Sequence, residues 1–153
     1  MDESIFNDAV NIDSNIITVK GGSADENQQQ TNDSFTEKWS KYEEEASDKE
    51  KLYEMQKNWY LSLYGFDDEQ TMAGFLADKK YIFDAGCGLG YKAQWFAELA
   101  PHSQVIGMDF SDAVYIAAEN YRHIDNLYFI KGDIADTPFR EGAIDYVSCD
   151  QVI

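Results

Sequence analysis

Tyr81-Ile82-Phe83-Asp84-Ala85-Gly86-Cys87-Gly88-Leu89-Gly90 is the stretch on which the reading of the whole chain turns. It begins as a short run of strand-forming side chains, passes at once into three glycines at alternate positions, and hands over to a helical pattern near Tyr91. A strand, a tight turn and a helix in succession bring backbone N–H groups, unshielded by β-carbons, to the positive end of a helix. A carboxylate or phosphate is favoured there. The same glycines also fit a plain turn in a βαβ unit, because a Gly-rich match is a weak signal by itself.

Spacing narrows the ligand. A dinucleotide fingerprint, G-x-G-x-x-G, needs its third glycine at position 91, which is Tyr. Gly86, Gly88 and Gly90 form G-x-G-x-G instead, and with the acid ahead of them the run Asp84-Ala85-Gly86-Cys87-Gly88-Leu89-Gly90 closely resembles the first motif of class I S-adenosylmethionine-dependent methyltransferases. The resemblance covers residues 79–153 and extends through four successive segments in order. It implies an α/β, doubly wound Rossmann-like sheet holding S-adenosylmethionine over the glycine loop. Asp84, Ala85, Gly86, Cys87, Gly88 and Gly90 would then meet the amino-acid end of that cofactor, Asp84 orienting the loop or the ammonium group.

Downstream, Lys92–Ala100 has good helix formers and stops before Pro101, as a crossover helix should. Gln104-Val105-Ile106-Gly107-Met108-Asp109 predicts a second strand ending in an acid nineteen positions after Gly90. In a right-handed βαβ unit this carboxylate arrives beside the glycine loop, where it can accept both hydroxyls of a ribose. It could instead cap the next helix, expected over Ser111–Tyr121, but Ser111 is the better cap and leaves Asp109 free; Phe110 beside it joins the candidate site.

The third strand, Asn126–Lys131, runs into Gly132-Asp133-Ile134. In the family that the sequence resembles, an acid at this place accepts from the adenine amino group and the next apolar residue packs on the ring. Gly-Asp is equally a common turn pair. Ile144–Cys149 predicts a fourth strand, and Asp150-Gln151-Val152-Ile153 resembles the fourth family motif, with Cys149 and Asp150 under the methionine portion of the cofactor. A catalytic thiolate at Cys87 or Cys149 is not expected, since nothing basic in the local sequence would lower either thiol pKa.

Ahead of this unit, residues 1–33 have no sustained period and hold the polar cluster Gly21–Asn32; they read as a mobile leader with one short extended piece over Asn15–Lys20. Residues 34–78 read as a helical cap. Phe35, Trp39 and Tyr42 would share one helical face, as core or as an aromatic flap over a cation. A helix beginning at Ser47 and closed by Gly65 would bury Leu52, Met55, Trp59 and Leu63, and a shorter one after an Asp67 or Asp68 cap would bury Met72, Phe75 and Leu76.

Composition sets outer bounds. The 153 residues suffice for one domain, which would bury about 70% of its unfolded surface. Two distant cysteines support neither a disulfide framework nor a metal site, and no apolar run approaches a membrane span, so a soluble, cytoplasmic protein is expected. A net charge of −17, with Arg122 and Arg140 the only arginines, argues against nucleic-acid binding and for a small-molecule methyl acceptor.

The fold that the sequence resembles has seven strands, and four are legible here, in the order 3-2-1-4. The fourth would be an open edge, so completion by a missing C-terminal half or by self-association is expected, and the chain alone should be inactive. Three functions stay open: the cofactor half of a methyltransferase, a non-catalytic cofactor- or partner-binding fragment, and a NAD-dependent oxidoreductase. The general base and the acceptor cannot be named from these residues.

Overall fold

The computed structural model describes residues 1–20, 46–150 and 152. In chain order they form a 3-10 turn (Glu3–Ile5), β1 (Val10–Asp13), β2 (Ile16–Val19), α1 (Ala46–Tyr64), α2 (Glu69–Leu76), β3 (Tyr81–Ala85), α3 (Tyr91–Leu99), β4 (Gln104–Asp109), α4 (Ala113–Asn120), β5 (Leu127–Lys131) and β6 (Tyr146–Cys149). One sheet runs β1-β2-β5-β4-β3-β6, parallel throughout except for the β1–β2 hairpin. The expected 3-2-1-4 order is therefore present as β5-β4-β3-β6.

β3 is central because all five of its residues are buried, which suits a parallel strand covered on both faces. Alternation along it divides the core. Ile82 joins Val105, Leu127 and Phe129 under α1 to α4, while Tyr81, Phe83 and Ala85 join Ile106, Met108 and Ile130 on the other face. The β3-α3-β4 and β4-α4-β5 crossovers both lie on the first face. The return from β5 to β6 crosses the second, where Ile134, Phe139 and Ile144 cover the sheet without a helix. The chain thus leaves β3 over one face and enters β6 from the other, and a crevice lies at their carboxyl ends.

The leader expected over residues 1–33 departs from the structure in its first part. Residues 5–7 pair with 138–140: Asn7 N–H donates to Pro138 O (2.8 Å), Arg140 N–H to Ile5 O (2.8 Å) and Arg140 Nε to Phe6 O (2.8 Å). Phe6 is 2% exposed, with its ring 5.6 Å from that of Phe139. β2, inside the expected extended piece, pairs in parallel with β5 through Ile16–Phe129 and Ile17–Ile130, and buried Asn15 Nδ2 donates to Ala118 O at 2.8 Å. These partners lie more than a hundred residues away in sequence, which a local pattern does not register. Residues 21–45, including the polar cluster and the Phe35, Trp39, Tyr42 stripe, lie outside the described residues.

α1 turns the opposite way from expectation. Met55, Trp59 and Leu63 are 61%, 45% and 54% exposed, whereas Tyr60 and Leu61 are buried and Tyr53, Gln56 and Lys57 are half-buried. Two stripes of similar spacing compete on this helix. The one that wins satisfies polar groups as well as apolar ones, because Tyr60 Oη lies 2.6 Å from Tyr146 Oη and donates to Ser148 Oγ at 3.1 Å. Gly65, at φ +76°, closes α1, and Phe66 N–H returns to Leu61 O. Asp68 caps α2 by accepting from Thr71 N–H at 2.7 Å; Met72 and Leu76 are buried as expected, but Phe75 stays 42% exposed against the rings of Phe66 and Tyr146.

Phe6→Ala is expected to cost about 3–5 kcal/mol, the range for deleting a core phenylalanine. Urea unfolding of the full chain checks this; an unchanged midpoint would mean that the N-terminal segment is not part of the core.

Candidate functional site

The glycine loop is clamped to the neighbouring strand. Gly86 and Cys87 N–H both donate to Met108 O (2.8 and 3.0 Å), Gly88 N–H to Asp109 Oδ2 (2.8 Å) and Gly90 N–H to Cys87 O (2.8 Å). Gly86 and Gly90 take φ of +73° and +78°, and a β-carbon on them would come 2.3 Å from Val152 Cγ2 and 2.7 Å from the Phe129 ring. Side chains at these two positions are excluded by strain and by space. Gly90 caps α3 with no side-chain hydrogen bond, and Gln94 N–H begins the helix on Gly90 O.

Asp109 is not free. Its Oδ1 accepts from Ser111 N–H (2.8 Å) and Ser111 Oγ (2.7 Å), while Oδ2 holds Gly88. The residue preceding α4 is Asp112, without a side-chain cap bond, so the expected capping by Ser111 is replaced by a brace from Asp109 to both flanking loops. Oδ1 thus takes two donors and Oδ2 one, so Oδ2 keeps a second lone pair for an incoming hydroxyl. Phe110 beside it is half-buried.

Gly132 N–H donates to Asp109 O at 3.0 Å, which sets Asp133 on the strand end adjacent to Asp109. Asp133 Oδ1 accepts from Ala135 N–H at 2.8 Å in a local turn, and Ile134 packs against the second core face.

A cavity opens between this loop and α1, lined by Gly86, Cys87, Gly88 and Asp150 with Gln56, Lys57, Tyr60, Tyr91, Lys92 and Trp95. Of the residues expected in the site, the three loop positions and Asp150 meet in it. Asp109, Asp133 and Ile134 belong to the next two strand ends, and Cys149 is exposed on β6.

Sequence reasoning missed the α1 residues, because the competing stripe was read as the buried one. It also missed Lys92, although a residue in the first turn of α3 points back towards the strand before the loop.

Asp84 carries the strongest electrostatic constraint. Its carboxylate is fully buried, and the Lys92 ammonium, with Nζ 3.1 Å from Oδ1, is its ion-pair partner. Burial pushes its pKa up to about 6 against the pull of Lys92, with Asp109 and Asp150 adding to the rise.

Cys87 is buried beside the same carboxylates, and its thiol is pushed well above the ordinary value, which excludes a thiolate near neutral pH. Burial likewise raises the phenols of Tyr60, Tyr91 and Tyr146, so these rings act as hydrogen-bond donors and surfaces and not as bases. Tyr53 stacks on Tyr91 with centroids 4.2 Å apart, which pins α1 over the first turn of α3.

Comparison with known proteins converges on one family. Residues 82–153 match the family model described as "Methyltransferase domain". Malonyl-[acyl-carrier protein] O-methyltransferase of Legionella pneumophila is 36% identical over 73 residues, which is 47% of this chain and 26% of that protein. Trans-aconitate 2-methyltransferase of Acidovorax sp. is 39% identical over 57 residues, covering 37% of this chain and 21% of its own length. The chain thus spans about a quarter of the curated relatives that it matches. The solved StiE O-MT structure superposes with a TM-score of 0.51 at 21% identity, covering 70% of this chain and 37% of that one, a likeness of fold.

The raised Asp84 pKa gives a signed pH dependence. The folded state holds the proton more tightly than the unfolded chain, so the stability gained from protonation is complete below about pH 3.8 and is lost as pH rises through about 6. Between pH 5 and pH 7.5 the wild type should lose of order 1 kcal/mol relative to Asp84→Asn, measured by urea unfolding of both proteins. Parallel pH profiles would contradict the shift.

Proposed function

We propose that residues 82–153, which match the methyltransferase-domain model, form part of a class I S-adenosylmethionine-dependent methyltransferase, and that this chain supplies the cofactor-binding half of a methyl transfer to a small-molecule acceptor. The observation that carries the reading is the clamped glycine loop at the crevice between β3 and β6, with carboxylates following at the adjacent strand ends. The residues present fit a cationic nucleoside. Asp84 is a buried carboxylate paired with Lys92, Asp150 lines the cavity, and Asp109 and Asp133 follow at the adjacent strand ends.

When bound, S-adenosylmethionine supplies an electrophilic methyl group, so the protein's work is mainly positioning. Gly86, Gly88 and Asp150, with Ala85, Cys87, Gly90 and Cys149 around them, would shape the seat of the amino-acid end. Asp109, flanked by Phe110, would accept a ribose hydroxyl, and Asp133 with Ile134 would take the adenine. Gln56, Tyr60 and Tyr91 line the other side of the cavity.

The charge of −17 favours a small molecule over a nucleic acid as acceptor. Relatives named for malonyl-[acyl-carrier protein] and trans-aconitate support the same reading. A cytoplasmic setting accords with two free cysteines, and no helix among the described residues is long and apolar enough to cross a membrane.

A NAD-dependent oxidoreductase is the weaker reading. Its fingerprint needs a glycine where this chain has Tyr91, whose ring is committed to stacking on Tyr53. Cofactor binding without catalysis differs from the main reading only in whether the bound methyl group is transferred.

Calorimetry of the full chain should show S-adenosylhomocysteine binding and no heat with NAD. Asp109→Ala should weaken binding by roughly tenfold or more, the scale of one lost hydrogen-bonding carboxylate. Binding of NAD in preference would reverse the assignment.

A further inference from the structure

A glycine loop at a helix start ordinarily offers its own N–H groups to an anion. Here four of those groups are already engaged: the N–H groups of Gly86, Cys87, Gly88 and Gly90 donate to Met108 O, Asp109 Oδ2 or Cys87 O inside the fold. An amino-acid ligand seated in this cavity brings a carboxylate as well as an ammonium, in a chain whose net charge is −17. The carboxylate needs a cation.

Lys92, in the first turn of α3, lines the cavity, while the Asp84 carboxylate beneath it does not. Its ammonium lies 3.1 Å from Asp84 Oδ1 and 5.8 Å from the Tyr60 ring centroid, and its side chain is 14% exposed. The group is held from below by charge and from the side by a π face. An ammonium has three donors, and the contact with Asp84 Oδ1 occupies one of them, so N–H groups remain for the cavity. Lys57, the other lysine at this cavity, lies instead 3.7 Å from Glu69 and over Trp95.

We propose that Lys92 is the residue that binds the ligand's α-carboxylate, and that Asp84 is a positioning residue that keeps this ammonium aimed into the cavity. The inference rests on the methyltransferase reading and goes beyond it by giving the carboxylate a side-chain partner.

The test compares three nucleosides by calorimetry on the full chain: S-adenosylhomocysteine, its decarboxylated analogue, which keeps the amine, and 5′-methylthioadenosine, which lacks the amino-acid end. The wild type should bind S-adenosylhomocysteine roughly tenfold or more tightly than the decarboxylated analogue, the usual scale of a charge-assisted hydrogen bond. Lys92→Met should bind the two alike, and Lys92→Arg should restore part of the preference.

Because Lys92→Met leaves a buried carboxylate unpaired, the double variant Asp84→Asn/Lys92→Met, which removes both charges, is measured beside it. It too should lose the preference while binding 5′-methylthioadenosine as the wild type does. A preference that survives in both variants, or a wild type that shows none, overturns the assignment of Lys92 and leaves the cofactor reading standing. A wild type that binds none of the three nucleosides overturns both.

Discussion

The last residues of β4 hold the glycine loop in place, and the geometry of the site depends on that contact. Met108 O receives two consecutive N–H groups from the loop, and the Asp109 carboxylate receives a third while also holding Ser111. A loop with three positive-φ glycines would otherwise carry a large conformational entropy. Fixing it from the neighbouring strand makes the loop part of the sheet. The start of α3, and with it Tyr91 and Lys92, inherits that rigidity, because Gln94 N–H closes the first turn directly on Gly90 O.

Rigidity has an electrostatic counterpart in the pair Asp84–Lys92. A carboxylate in the middle of a fully buried strand is expensive to desolvate, and the ammonium above it offsets only part of that cost, as the upward displacement of its pKa to about 6 records. Replacing such a pair with apolar side chains is often neutral or stabilising, so its presence at the floor of a cavity points to a use other than stability. The phenols around it contribute packing and hydrogen bonds, since burial keeps them protonated. Positioning is what the site is equipped for.

Much of this was legible in the sequence for a definite reason. β3 to β5 and the helices between them follow local rules: an apolar run, a glycine turn, helix formers ended by Pro101, and strands that close on Asp109 and Lys131. Their parallel order then follows from the handedness of short crossovers. The parts that escaped are set by partners distant in the chain. Four-residue strands such as β1 and β2 gain their place only by pairing with β5, and Phe6 is buried by Phe83 and Phe139, neither of which its neighbourhood announces. The dual engagement of Asp109 escaped for the same reason: its nearness to Gly88 was foreseeable, its commitment to that N–H was not.

The orientation of α1 shows how a hydrophobic pattern can select the wrong face. Leu52, Met55, Trp59 and Leu63 form the more apolar stripe, yet the helix buries Tyr60 and Leu61 and turns Gln56 and Lys57 towards the cavity. Area alone would favour the first arrangement. The second joins Tyr60 to Tyr146 and Ser148, stacks Tyr53 on Tyr91, and lays a partly polar surface over a site whose floor contains a buried charge. An apolar stripe in that position would leave the hydroxyls of Tyr146 and Ser148 without their bonds to Tyr60, at a cost of about 1–3 kcal/mol for each group left unsatisfied. The polar demands of the site below therefore decide which face of α1 turns inward, and the apolar stripe is left to the surface.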